Sequence, residues 1–221
     1  MDEYDLITFD CYGTLIDWEG GISQAFQREA SRDYHHLDRA AIIEAYLIEE
    51  PAVEAAAYRS YREVLTEAAQ RVAARLGWPI TPERATFLAD SLPNWQPFAD
   101  TNAALERLAR KFQLGILSNT DDDLFAATCR HFTVAFEPII TAQHVQSYKP
   151  GHAHFLAARQ RCQGKRWLHA AQSYFHDVVP ARELGVPVIW VNRKQEGVRA
   201  GGSLPTYEVA DLKSLADFVD A

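Results

Sequence analysis

Short apolar runs of strand length recur along the chain at Leu6 to Phe9, Leu114 to Leu117, Trp167 to Ala171 and Val186 to Val191, each with residues of helical pattern before or after it. Such alternation predicts an α/β fold, a parallel sheet wrapped by helices. Between the first two runs lies a long stretch without a strand pattern. From Ile42 to Leu76 it is rich in Ala, Glu, Arg and Tyr at helical spacing, and Pro51 predicts its division into two helices. The simplest architecture is an α/β core drawn from both ends of the chain, residues 1–17 and 96–221, interrupted by a helical insert over residues 18–95. Asn94-Trp95-Gln96-Pro97 reads as the return hinge, since proline disfavours helix in the residue before it. Thr206 to Val219 reads as a short strand followed by a helix begun near Asp211.

The length of 221 residues suits one medium-sized domain, or one domain with a sizeable insert. No apolar run approaches the ~20 residues needed to cross a bilayer, and the charged, strand-like amino terminus does not read as a signal peptide. A soluble cytoplasmic protein is expected, with no membrane partner. Three cysteines, Cys11, Cys129 and Cys162, support neither a disulfide framework nor a zinc site and read as core thiols. The formal net charge of −8 opposes a phosphate backbone, so nucleic acid is not an expected partner. A small anion gripped by a few local positive groups fits the composition.

Four segments carry chemistry-bearing residues at strand ends. The first run stops at Asp10 and breaks into Gly13-Thr14, which sets a carboxylate outside the carboxyl end of a strand, where open α/β sheets bind ligands. The second run ends in Ser118-Asn119, which reads either as a helix cap or as a pair of donors to an anion. Lys149 precedes Pro150, which keeps it out of a helix; it is either a solvated charge or the group that holds a carboxylate ionised. After the Trp167 run come Ser173 and Asp177, the latter either a helix cap or a second acid facing the site. His176 reads as a capping or packing residue. His35, His36, His152 and His154 lack metal spacing and read as surface residues.

Taken in order, Asp10 with Gly13-Thr14, Ser118-Asn119, Lys149-Pro150 and Asp177 resemble the four motifs of the haloacid dehalogenase superfamily. The resemblance implies a Rossmann-like core, an inserted helical cap and Asp10 as a covalent nucleophile. Superfamily phosphatases carry a second aspartate two residues after the nucleophile and a metal-binding acid early in the fourth motif. Tyr12 and Gln172 stand at those places here. A magnesium site would lack charge where it needs it, so no metal or other cofactor is expected; magnesium would return only with a phosphatase reading. Asp-x-Tyr-Gly-Thr-Leu is similar to the L-2-haloacid dehalogenase branch, in which carbon is attacked and the leaving halide needs no proton.

By that resemblance Asp10, Lys149 and Asp177 are catalytic: nucleophile, its electrostatic partner, and the acid that positions or activates hydrolytic water. Tyr12, Thr14, Ser118, Asn119 and Ser173 are the substrate-binding candidates, with Asn119 facing the leaving group. The substrate is a small carboxylate-bearing molecule, and a homodimer is a candidate assembly. The branch's cap arginine is replaced by Ala40-Ala41-Ile42-Ile43, leaving Arg39, Arg59 or Arg62 as substitutes. Trp95 is a candidate for the pocket wall. Two alternatives stay open: a small-molecule phosphatase of the same superfamily, and a non-catalytic anion-binding homologue.

Overall fold

The computed structural model describes residues 4–55, 57–198 and 201–220. Two compact units emerge: Met1–Ile16 with Pro97–Asn119 and Arg130–Ala221, and Asp17–Gln96 with Thr120–Cys129. The first holds six strands, β1 (Leu6–Phe9), β2 (Gln113–Ser118), β3 (Ile139–Thr141), β4 (Trp167–Ala171), β5 (Val188–Val191) and β6 (Tyr207–Val209). They form one parallel sheet in the order β3-β2-β1-β4-β5-β6. Helices cover both faces of such a sheet, which is why β1 and β5 are apolar nearly throughout and buried end to end. β3 adds a strand that its three-residue length kept from standing out in the apolar pattern.

From β1 the chain steps outward to β2 and β3, then crosses back to β4 on the other side of β1. The reversal opens a crevice at the carboxyl ends of β1 and β4, the place where doubly wound sheets hold ligands. In the middle of the sheet Thr8 on β1 is flanked by Gly115 on β2 and His169 on β4. A side chain at Gly115 would place its Cβ 2.8 Å from the Pro138 carbonyl oxygen and 3.1 Å from Thr8 Cγ2, so glycine is required by close approach. Leu117, Ile140, Phe155, Val178, Val188 and Trp190 pack beside this sheet as one buried apolar cluster.

The second unit is helical, with main helices Trp18–Ser31, Arg39–Glu54 and Tyr61–Arg75. Asp17, Asp38 and Ser60 cap them in turn, each side chain accepting from a backbone N–H of the first turn. Pro51 does not divide a helix as the sequence suggests; it lies inside Arg39–Glu54, one turn from its end. There its missing N–H and its ring disturb only the final turn, and the break falls after Glu54. The segment 120–129, which the sequence reading assigns to the core, groups with the helical unit. The Asp121 carboxylate accepts from the backbone N–H groups of Tyr61 at 2.8 Å and Arg62 at 2.9 Å, satisfying donors that a helix start leaves open. Among the described residues no helix is long and apolar enough to cross a membrane.

Candidate active site

β1 delivers Asp10 one residue past its end, and the chain turns at Gly13, whose φ of 101° lies in the left-handed region. The turn returns Thr14 to Asp10: Thr14 Oγ1 donates to Asp10 Oδ2 at 2.8 Å. The same hydroxyl accepts from the Gln172 backbone N–H at 2.9 Å, which ties the turn after β1 to the end of β4. Asp10 is 7% exposed, so its carboxylate is accessible only at its tip.

Lys149 reaches this carboxylate from the loop before the helix Ala153–Arg161, through a cis Lys149–Pro150 peptide. Its Nζ donates to Asp10 Oδ1 at 2.9 Å, Asp177 Oδ1 at 2.7 Å and the Leu117 carbonyl at 2.9 Å, which uses all three ammonium protons. Asn119 fixes the lysine's main chain, accepting from Lys149 N–H at 2.7 Å and donating to the Lys149 carbonyl at 3.0 Å. The amide expected to face a leaving group is therefore engaged in holding Lys149. Its place at the end of β2, opposite the lysine loop, decides this.

The charges are consistent with that geometry. Burial works against the Lys149 ammonium, but Asp10 and Asp177 beside it hold its pKa above the ordinary lysine range. For Asp10 burial prevails over the attraction of Lys149, and its carboxyl is pushed up. For Asp177 burial is outweighed by Lys149 together with the His169 hydrogen bond, and its pKa falls to about 2. The pair separates into one carboxylate that is easily protonated and one that stays ionised.

Ser118 lies fully buried at the end of β2, and its Oγ has no partner among the described residues. Ser173 Oγ accepts from His176 N–H at 3.0 Å and lies 3.1 Å from His176 Nδ1, so it caps the turn Tyr174–Val178. Asp177 is not a cap; it is buried in that turn, with Oδ1 on Lys149 and Oδ2 unpartnered. Tyr12 is half-buried and bridges to Ile16 in the turn.

In the helical unit, Arg59 pairs with Glu67, and Arg62 with Asp90 and Asp123. Arg39 is exposed. Trp95 is a packing residue and not a pocket wall: it is 4% exposed and stacked so closely on Gly21 that a Cβ there would come 2.3 Å from its ring. Cys11 and Cys162 are buried, and Cys129 is half-buried.

Two histidines depart from the sequence reading. His154 is a core residue, not a surface one: it lies fully buried with Nε2 3.2 Å from the Ser118 carbonyl, and burial beside Lys149 depresses its pKa to about 3. His169, inside β4, was passed over; it stands 3.0 Å from Asp177 Oδ1 and 2.9 Å from Thr8 Oγ1. A polar residue in the middle of a buried strand is the signal that could have found it, because such a group requires partners.

Magnesium fits this donor set poorly. Position 12 is a phenol, position 172 a neutral amide, and Asp177 Oδ1 is already shared by two donors. Among the described residues no group of three or more His, Cys, Asp and Glu is gathered as a ligand set.

A parallel Rossmann-like sheet with an Asp–Lys–Asp cluster at its switch point defines an enzyme of the α/β class. The chain belongs to the haloacid dehalogenase-like hydrolases, whose family model matches residues 4–172. It is 27% identical over 236 residues, 99% of each chain, to (S)-2-haloacid dehalogenase H-109 of Pseudomonas putida. The fold is that of L-2-haloacid dehalogenase from Xanthobacter autotrophicus, with a TM-score of 0.85, 19% identity and 99% of each chain covered. The structure of that enzyme with chloropropionic acid covalently bound aligns with a TM-score of 0.84, 18% identity and the same coverage.

Proposed function

We propose that this hydrolase is a metal-independent dehalogenase of 2-haloacids, or of a similarly activated carbon next to a carboxylate. One observation carries the reading above all: Asp10 is held by Lys149 and Thr14 with no acid at position 12 to protonate a leaving oxygen. Halide leaves without a proton, so the missing acid is no loss. The names of the curated relatives support the same bond.

In the reaction, an Asp10 carboxylate oxygen attacks the substrate carbon, the carbon–halogen bond breaks, and the electron pair leaves with the halide. Water then attacks the Asp10 carbonyl carbon of the ester. Its proton passes to Asp177, the alkoxide leaves and takes up a proton, and Asp10 is restored with one oxygen from water. Ser118 Oγ, with no other partner among the described residues, is the donor assigned to the substrate carboxylate. The reading includes residues 18–95 as a cap domain, a cytoplasmic location, a homodimeric assembly and no nucleic-acid or membrane partner. The net charge of −8 supports the exclusion of nucleic acid.

Single-turnover hydrolysis of a 2-haloacid in oxygen-18 water tests the ester. Label is expected in Asp10 and not in the hydroxy-acid product; label in the product alone would overturn it. Halide release is expected to persist with a chelator, whereas chelator-sensitive hydrolysis of a phosphate ester would replace this reading with a phosphatase.

A further inference from the structure

The buried core of the sheet contains a line of hydrogen bonds that ends on Asp177. Trp167 Nε1–H donates to Thr8 Oγ1 at 2.7 Å, Thr8 Oγ1 meets His169 Nδ1 at 2.9 Å, and His169 Nε2 meets Asp177 Oδ1 at 3.0 Å. An indole nitrogen can only donate. Thr8 therefore spends an acceptor site on Trp167 and offers its single proton to His169 Nδ1. That assigns the proton of the neutral imidazole to Nε2, where it faces the carboxylate. His169 and Thr8 are fully buried register partners on β4 and β1, so the ring is fixed by strand pairing and not by a loop.

We propose that His169 is a positioning residue for the second step of the reaction: it and Lys149 together occupy Asp177 Oδ1 and so present Oδ2 as the acceptor of the water proton. The proposal rests on the ester reading given above. Oδ2 is buried and has no partner among the described residues, an expensive arrangement unless something is to be bound there. Without the His169 donor the carboxylate could rotate about its Cβ–Cγ bond and offer both oxygens to Lys149. The groups that face Asp177 are Lys149 from its loop, Asp10 from the end of β1, His169 from β4, His154 from the helix Ala153–Arg161, and neighbouring His176. His169 is the neutral donor among them that touches Oδ1.

Two amide variants separate positioning from packing. His169→Gln places an amide nitrogen where Nε2 was and keeps the donor to Asp177; His169→Asn places one nearer Nδ1 and loses it. Both are expected to destabilise the fold to a similar degree. In H169N the halide burst is expected to survive while hydrolysis of the Asp10 ester slows about tenfold or more, ~1.4 kcal/mol, and ester accumulates; H169Q should hydrolyse it near the wild-type rate. Equal slowing of both steps, or equal behaviour of the two variants, would overturn the proposal. A second readout needs no turnover: the Asp177 carboxyl carbon resonance should titrate at higher pH in H169N than in the wild type or H169Q. If the wild type releases no halide, the ester reading falls, and this titration alone decides whether His169 governs Asp177.

Discussion

Thr14 donates its hydroxyl proton to Asp10 Oδ2 at 2.8 Å, to the one oxygen of that carboxylate that Lys149 does not hold. With both oxygens bonded, the plane of the carboxylate is set before any substrate arrives. A hydrogen bond to a charged group contributes ~1.5–3 kcal/mol, and misorientation of a nucleophile costs rate. Thr14→Val is expected to lower kcat by roughly ten- to a hundredfold, and Thr14→Ser to keep most of it. Stopped-flow halide release checks this; a larger loss in T14S than in T14V would refute it.

Lys149 is 1% exposed and sits between two carboxylates. Removing the ammonium leaves like charges buried together, a loss of ~3–5 kcal/mol for a broken buried pair. Lys149→Met is expected to abolish turnover and lower the melting temperature by roughly 10 °C. Adding Asp10→Asn and Asp177→Asn should restore much of the melting temperature without activity. Failure of the triple variant to recover would show that the loss is steric.

The two carboxylates respond to acid differently. Asp10, with its pKa pushed up by burial, must lose its proton to attack, so the acid limb of kcat/KM should lie above the ordinary aspartate value of 3.8. Asp177 has a depressed pKa, so its contribution to stability is present above 3.8 and is lost as the pH falls through about 2. Activity should thus fall at a higher pH than the one at which this contribution fades. Parallel pH series of initial rate and of urea midpoint test it.

In the helical unit Glu50 is pushed up to about 7 by burial, despite the hydrogen bond that Tyr61 donates to it at 3.3 Å. A raised carboxyl binds its proton more tightly in the folded chain, so its burden on stability grows between 4.5 and about 7 and is constant above. Glu50→Gln should gain stability relative to the wild type over that window and keep the gain at higher pH. A difference independent of pH would contradict it.

Gly115 has no room for a methyl group between the Pro138 carbonyl and Thr8. Gly115→Ala is expected to cost ~1–3 kcal/mol by overpacking and, by pressing on Thr8, to disturb the line to His169. Chemical denaturation gives the first, and the His169 ring nitrogen shifts give the second.

Much of this arrangement is legible in the sequence for a simple reason. Asp10, Lys149 and Asp177 follow apolar runs or a proline, so local pattern sets them at strand and loop ends. Pro51 misled because a proline near the end of a helix costs little, and the pattern does not say how far that end lies. Asn119 and Ser173 misled because their partners, the Lys149 main chain and His176, depend on how loops meet. His169 and Thr8 were hidden by their apolar neighbours: strand periodicity counts such positions as core and is silent on the bonds a polar side chain makes across to another strand.

Thr8 and His169 pair across 161 residues of sequence, and that pairing of β1 with β4 also brings Asp10 beside Asp177. Contacts so distant along the chain form late and slowly, since the intervening loop entropy must be overcome first. A ribosome-bound or truncated chain that stops before β4 would own its nucleophile and still be chemically mute. The reactive centre is in that sense a checkpoint of completed folding, and recovery of activity on refolding should lag behind recovery of helix signal.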